Sequence, residues 1–217
     1  MKRNIKELYS ELVSNKFIIS DSKQVNALET ISLILQQNNK KSFFNNKKIQ
    51  GIYVWGSTGI GKTFILNLFI TNALNRKKYH FNHFMINLYA YINNEKKRDQ
   101  AIELYIKDLS KKYKLIFIDE LHIFNIVDAL LIKKIFNYFK KYKIFILVSS
   151  NFKPEDLYKN GLQRKDFVPF IEYINNNFKI LYLNNIIDYR RVSLNQSKTF
   201  FTPINKEVKN IKDNGII

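Results

Sequence analysis

The chain has 217 residues, of which 46% are hydrophobic and 15% aromatic, with no cysteine and a formal net charge of +18. That is enough length and apolar content for one full α/β domain with a small extra piece, and it excludes global disorder. The lack of cysteine excludes disulfides and thiolate metal sites, and no apolar run approaches membrane-span length.

The charge points toward nucleic acid only weakly. Six of the 36 basic residues are Arg, the usual specific-contact residue, and the lysines are spread along the whole chain. Lys, Asn, Ile, Phe and Tyr are abundant together, which favours AT-rich base composition as the source of the charge. The first residues carry no apolar signal core, and Glu7 and Glu11 argue against a transit peptide, so a soluble cytoplasmic protein is expected.

In chain order, residues 3–15 and 21–37 place apolar residues at helical spacing (Ile5, Leu8, Leu12; then Val25, Leu28, Ile31, Ile34, Leu35). Ser20 or Asp21 is the expected cap of the second helix. Residues 38–49 form a polar, charged connector. From Gly51 the pattern turns to alternating strands and helices. Ile52–Trp55 reads as a buried strand, 62–75 as a helix, and 80–86 as a second strand. A helix follows over 101–112, and Leu115–Ile118 is a buried strand that ends on Asp119 and Glu120. Residues 126–141 form an amphipathic helix, 144–148 the most apolar strand, and 179–183 one more. The alternation predicts an α/β fold with a parallel sheet flanked by helices and right-handed crossovers.

Four of the six glycines fall between Gly51 and Gly61, and Gly56–Thr63 fits G-x-x-x-x-G-K-[ST], the phosphate-cradling loop of nucleoside triphosphatases. A strand before it and a helix after it supply the required context. Gly56, Ser57, Thr58, Gly59, Ile60 and Gly61 would turn backbone N–H groups toward the phosphates of ATP or GTP, at the positive end of the helix. Lys62 would reach the β- and γ-phosphates, and Thr63 would hold Mg2+ through its hydroxyl. Asp119 and Glu120, delivered by a buried strand to the carboxyl edge of the sheet, suit a metal-supporting carboxylate and a general base for the attacking water.

Two positions stay open on the residues alone. Asn151 follows the 144–148 strand and is either a ligand of the γ-phosphate or water, or a polar turn residue. Arg164 is either a surface arginine or a guanidinium that a neighbouring subunit inserts to neutralise transition-state charge. His80 and His83, three apart on an expected strand, would point to opposite faces, which disfavours a metal site.

These motifs together resemble the ZapE-type AAA+ ATPases, a bacterial cell-division family with a mitochondrial branch. The resemblance rests on Asp119-Glu120-Leu121-His122, Asp128-Ala129, Ser150-Asn151, the run Pro154 to Arg164, Phe167 to Ile171, and Ile187 to Arg191, with His80 to Met85 as a further likeness. It covers residues 50–191 well and the flanks loosely. It implies an AAA+ core over 49–191, preceded by a helical segment and linker over 1–48 and followed by the start of a shortened lid over 192–217. It implies ATP with Mg2+, held by the phosphate loop, Thr63 and Asp119, with catalysis by Lys62, Glu120, the sensor Asn151 and the trans-acting Arg164. Self-association into a ring or ATP-dependent oligomer is implied too, with a protein partner at the division machinery. A nucleotide-gated module with little hydrolysis is the alternative. A DNA-dependent, helicase-loader-like ATPase ranks last.

Overall fold

The computed structural model describes residues 5–39 and 49–184. The elements run α1 (Ile5–Ser14), α2 (Ser22–Asn39), β1 (Gly51–Trp55), α3 (Lys62–Asn72), β2 (Arg76–His80), α4 (Phe81–Asn94), α5 (Ala101–Lys112), β3 (Leu115–Asp119), α6 (Ile126–Lys141), β4 (Phe145–Ser150), α7 (Arg164–Asn177) and β5 (Phe178–Tyr182). Short 3-10 turns cover Arg98–Gln100 and Pro154–Asp156. The five strands form one parallel sheet in the order β2-β3-β4-β1-β5, so all their carboxyl ends lie on one edge.

The sheet is buried on both faces, which is why its inner strands read as continuous apolar runs. Period-two alternation then sorts each strand between two cores. Tyr53, Ile116, Ile118, Ile146 and Val148 face one core with α4, α5, α6 and α7. Ile52, Val54, Leu115, Phe117 and Leu147 face the other, shared with α3 and with Tyr9, Leu12, Leu28 and Ile31 of α1 and α2. Helices α1 and α2 therefore pack into the same apolar layer as the helix that follows the glycine-rich loop. Asp21 caps α2, its carboxylate accepting from the Lys23 N–H at 2.8 Å.

One sequence expectation is overturned. Of residues 80–86 only His80 belongs to a strand: the second strand is Arg76–His80, and Phe81 opens a helix. Phe81, Phe84, Met85 and Leu88 are buried at helical spacing, and the His80 ring accepts from the Asn82 N–H at the helix start. The true strand has no apolar alternation to mark it: it reads Arg-Lys-Lys-Tyr-His, a run that a sheet edge accommodates with its cations in reach of water. Helix α7 was also unanticipated. It carries Pro169 inside it, yet buries Phe167, Phe170, Ile171 and Ile174 along one stripe. The expected tail over 192–217 lies outside the described residues.

Candidate functional site

The Gly56–Thr63 loop leaves the carboxyl end of β1, between β4 and β5, and closes into α3. Gly56 has no room for a side chain: a Cβ there would sit 2.1 Å from the Leu183 carbonyl oxygen and 2.5 Å from Ile60 Cδ1. Gly59 and Gly61 adopt the left-handed region, with φ of 85° and 88°, which L side chains tolerate poorly. Gly61 then serves as the N-cap of α3 without any side-chain bond, so no capping side chain occupies the first N–H groups of that helix.

Lys62 is buried and folded back over the loop. Its ammonium donates to the carbonyls of Gly56 at 2.9 Å and Ser57 at 2.7 Å, and to Asn151 Oδ1 at 2.9 Å. Asn151 reaches it because β4 pairs directly with β1, Ser150 standing opposite Trp55. The Asn151 side chain therefore touches the loop lysine. The loop after it is pinned by the Tyr53 hydroxyl, which donates to the Phe152 carbonyl at 2.8 Å. Burial pushes the Tyr53 phenol well above its ordinary range, so it stays a donor.

Asp119 and Glu120 stand at the end of β3, and their surroundings differ. Asp119 is buried, accepting from Thr63 Oγ1 at 2.7 Å and Ser149 Oγ at 2.5 Å, with Lys78 Nζ at 3.0 Å from its other oxygen. Two hydroxyls and a cation thus offset the cost of burying the carboxylate. Glu120 is half exposed and left-handed, with φ of 56°. That conformation costs a non-glycine residue some strain, and it swings the side chain off the strand axis. Its N–H donates to Ser149 Oγ at 2.9 Å, and its carboxylate lies 3.1 Å from His80 Nε2. The His122 ring donates through Nδ1 to the Glu120 carbonyl at 2.7 Å.

His80 and His83 do not point apart as the strand reading required. With His83 in the first turn of α4, their rings lie 6.0 Å apart. Among the described residues no group of three His, Asp or Glu side chains is arranged to hold a metal ion. The oxygen pair of Thr63 and Asp119 is of the hard type that suits Mg2+ with additional ligands from phosphate and water. Its two side chains already touch, so they fit the ion that the loop motif implies.

Arg164 opens α7. Its guanidinium donates to two carbonyls of its own chain, Leu157 at 2.6 Å and Glu155 at 2.5 Å. Sequence reasoning missed three further residues at the site, namely Lys78, His80 and Ser149. Lys78 lies in the stretch 76–79, to which the sequence pattern assigns no element, and His80 opens the run read as a strand over 80–86. Ser149 falls just past the expected 144–148 strand, which in fact runs on to Ser150 and so places the two serines on opposite faces.

A family model for AFG1-like ATPases matches residues 5–215. The chain belongs to the AFG1-like ATPase family. An uncharacterised protein of Schizosaccharomyces pombe is 32% identical over 174 residues, covering 76% of this chain and 38% of that one. The cell division protein ZapE of Escherichia coli K12 is 26% identical over 172 residues, covering 78% of this chain and 46% of that one. The chain spans less than half the length of these two curated relatives. Among solved structures, a DNA replication initiation factor aligns with a TM-score of 0.59 at 16% identity, over 88% of this chain and 56% of that one. The fold is the P-loop AAA+ core that this AFG1-like chain was expected to have. Among the described residues no helix is long and apolar enough to cross a membrane.

Proposed function

We propose that the chain binds ATP with Mg2+ at the Gly56–Thr63 loop and hydrolyses it, coupling turnover to the remodelling of a partner protein. The observation that carries this reading is the Thr63–Asp119 bond of 2.7 Å, which joins the phosphate loop to the carboxylate strand at one sheet edge.

The backbone N–H groups of the loop and of the α3 N-terminus bind the phosphate oxygens. Lys62 exchanges its carbonyl partners for the β- and γ-phosphates, while Asn151 keeps its amide against the lysine and the terminal phosphate. Thr63 and Asp119 hold Mg2+, whose charge offsets that of the phosphates. Glu120 orients a water in line with the γ-phosphorus and accepts its proton as the new P–O bond forms and the bond to the β-phosphate oxygen breaks. ADP and inorganic phosphate are the products. His80 steadies the Glu120 carboxylate.

Arg164 completes the site from a neighbouring copy, so the active form is a ring or another ATP-dependent assembly. The division-protein relative makes the division machinery the proposed source of the partner, with action in the cytoplasm. The domain plan that goes with this reading is a core over 49–191 carrying the site and a helical segment over 1–48.

The test is turnover of purified protein. Glu120→Gln should lower phosphate release by about 100-fold or more while Mg·ATP still binds. Undiminished activity in that variant sinks the assignment. The second reading, a nucleotide-gated module with negligible turnover, is favoured by one observation: the Arg164 guanidinium is held by its own chain's carbonyls. Tight ATP binding without hydrolysis at any protein concentration would select it.

A further inference from the structure

The side chain of Gln24 is only 3% exposed, and it is a polar group on a helix that the sequence assigns to a separate segment. Burying an amide is unfavourable unless both its ends are bonded. In this chain they are bonded to two different parts of the molecule. Gln24 Nε2 donates to the carbonyl of Ile60, inside the phosphate loop, at 3.3 Å. Gln24 Oε1 accepts from the Tyr9 hydroxyl at 3.1 Å. The same Tyr9 oxygen accepts from the Asp21 N–H at 3.1 Å, where the chain turns into α2. Tyr9 is itself buried, and that burial raises its phenol above the ordinary value.

We infer that Gln24 is a positioning residue for the nucleotide site, fixing the phosphate loop by holding the Ile60 carbonyl from the α2 side. The inference rests on the proposed nucleotide-binding reading of that loop. The physical reason lies in the peptide unit. The carbonyl of Ile60 and the N–H of Gly61 belong to one planar trans peptide, so they point in opposite directions. A carbonyl pinned outward toward α2 turns the Gly61 N–H inward, to the concave side where phosphate oxygens would lie. Gly61, which supplies the N–H side of this peptide, has a left-handed φ, and Gly59 stands just before Ile60; glycine backbone freedom lowers the cost of flipping such a peptide. An external bond is therefore what selects one orientation. Tyr9 fixes the rotation of the Gln24 amide, so α1 and α2 together become part of the site.

The core beneath supports this. Tyr9, Leu12, Ala27, Leu28 and Ile31 pack in the same cluster as Ile60, Ile65 and Leu66. At the other end of the turn, Lys23 Nζ donates to the Asn184 carbonyl at 2.5 Å. The neighbouring Leu183 N–H donates to the Trp55 carbonyl just before the loop.

The experiment compares full-chain wild type, Gln24→Met, Tyr9→Phe and Leu12→Ala, each shown to be folded by circular dichroism. Two quantities are measured: the Kd of Mg·ATP by calorimetry, and amide hydrogen exchange of residues 57–62 in nucleotide-free protein. Gln24→Met keeps the volume and removes both bonds. It should weaken Mg·ATP about five- to tenfold, the effect of one net hydrogen bond, and speed exchange in the loop. Tyr9→Phe should do the same to a smaller degree, and it reports if Gln24→Met does not fold. Leu12→Ala loosens the same core without touching the bond. It should lower the melting temperature and leave Kd within about twofold. Unchanged Kd and exchange in both polar variants would overturn the inference, as would equal weakening by Leu12→Ala. If wild type binds no nucleotide while the loop exchange still responds to Gln24→Met, the nucleotide reading fails and the anchor stands.

Discussion

At the residue scale, Ser149 carries more of the site than its chemistry suggests. One hydroxyl donates to Asp119 and accepts from the Glu120 N–H, so it fixes both carboxylate residues at once. Because Glu120 is held in a left-handed conformation, its N–H needs that acceptor to stay where it is. Ser149→Ala should cost about 1–3 kcal/mol of unfolding free energy in urea, the range for leaving a buried donor unsatisfied. Phosphate release should fall more than Mg·ATP affinity, since the carboxylate proposed to orient the water loosens while the loop does not. Equal losses in both would place the effect elsewhere. The neighbouring Ser150 instead donates to the Leu121 carbonyl at 2.7 Å, which is the alternation of a strand expressed in hydrogen bonds.

At the element scale, the segment from Pro154 to the start of α7 is built around Arg164. Its guanidinium closes the 3-10 turn by bonding Leu157 and Glu155 carbonyls, while the Tyr158 hydroxyl donates to the Leu162 carbonyl at 3.0 Å. Arg164→Ala is expected to do two separable things. It should lower stability by about 1 kcal/mol through loss of charge-assisted bonds at a partly exposed site. It should also abolish any rise in specific ATPase activity with protein concentration, if the neighbour's arginine acts across an interface. A stability loss with an unchanged concentration dependence would confine Arg164 to its own turn. Arg164→Lys should rescue neither effect, because a single ammonium cannot span two carbonyls as a planar fork does.

At the scale of the whole molecule, the sheet edge that assembles the site is supported by an aromatic core on one face. Phe136 of α6 meets Phe139, Phe170 and Phe178 at ring separations of 5.7, 5.0 and 5.8 Å. It thereby links α6, α7 and β5. Phe136→Ala should destabilise by about 3–5 kcal/mol, read by chemical denaturation. The nucleotide affinity of the fraction that remains folded should be nearly unchanged, because the loop's Ile60 packs in the core on the opposite face of the sheet.

How much of this was legible beforehand depended on whether a residue's environment was local. The glycine-rich loop, the buried strands β1, β3 and β4, and the amphipathic α6 announce themselves because their patterns come from covalent spacing and burial on a fixed period. Strand β2 did not, since a polar run becomes a strand only when a neighbour such as β3 offers it a ladder. Helix α7, with Pro169 inside it, was hidden for a similar reason: its stripe of Phe167, Phe170, Ile171 and Ile174 needs a core to define a face.

By itself, then, the sequence determined the α/β class, the phosphate loop, the carboxylate pair and the family. The loop and the carboxylate pair are each written in adjacent residues, and the class and the family in the order of such short runs along the chain. Tertiary structure alone decided that Asn151 meets Lys62, that Thr63 meets Asp119, that His80 meets Glu120 and that Gln24 meets the loop. Those contacts join residues 36 to 89 positions apart, and only the order of parallel strands and the packing of α1 and α2 brings them within bonding distance. A hydrogen bond acts over about 3 Å, so no spacing along the chain can encode it until the fold has closed that gap.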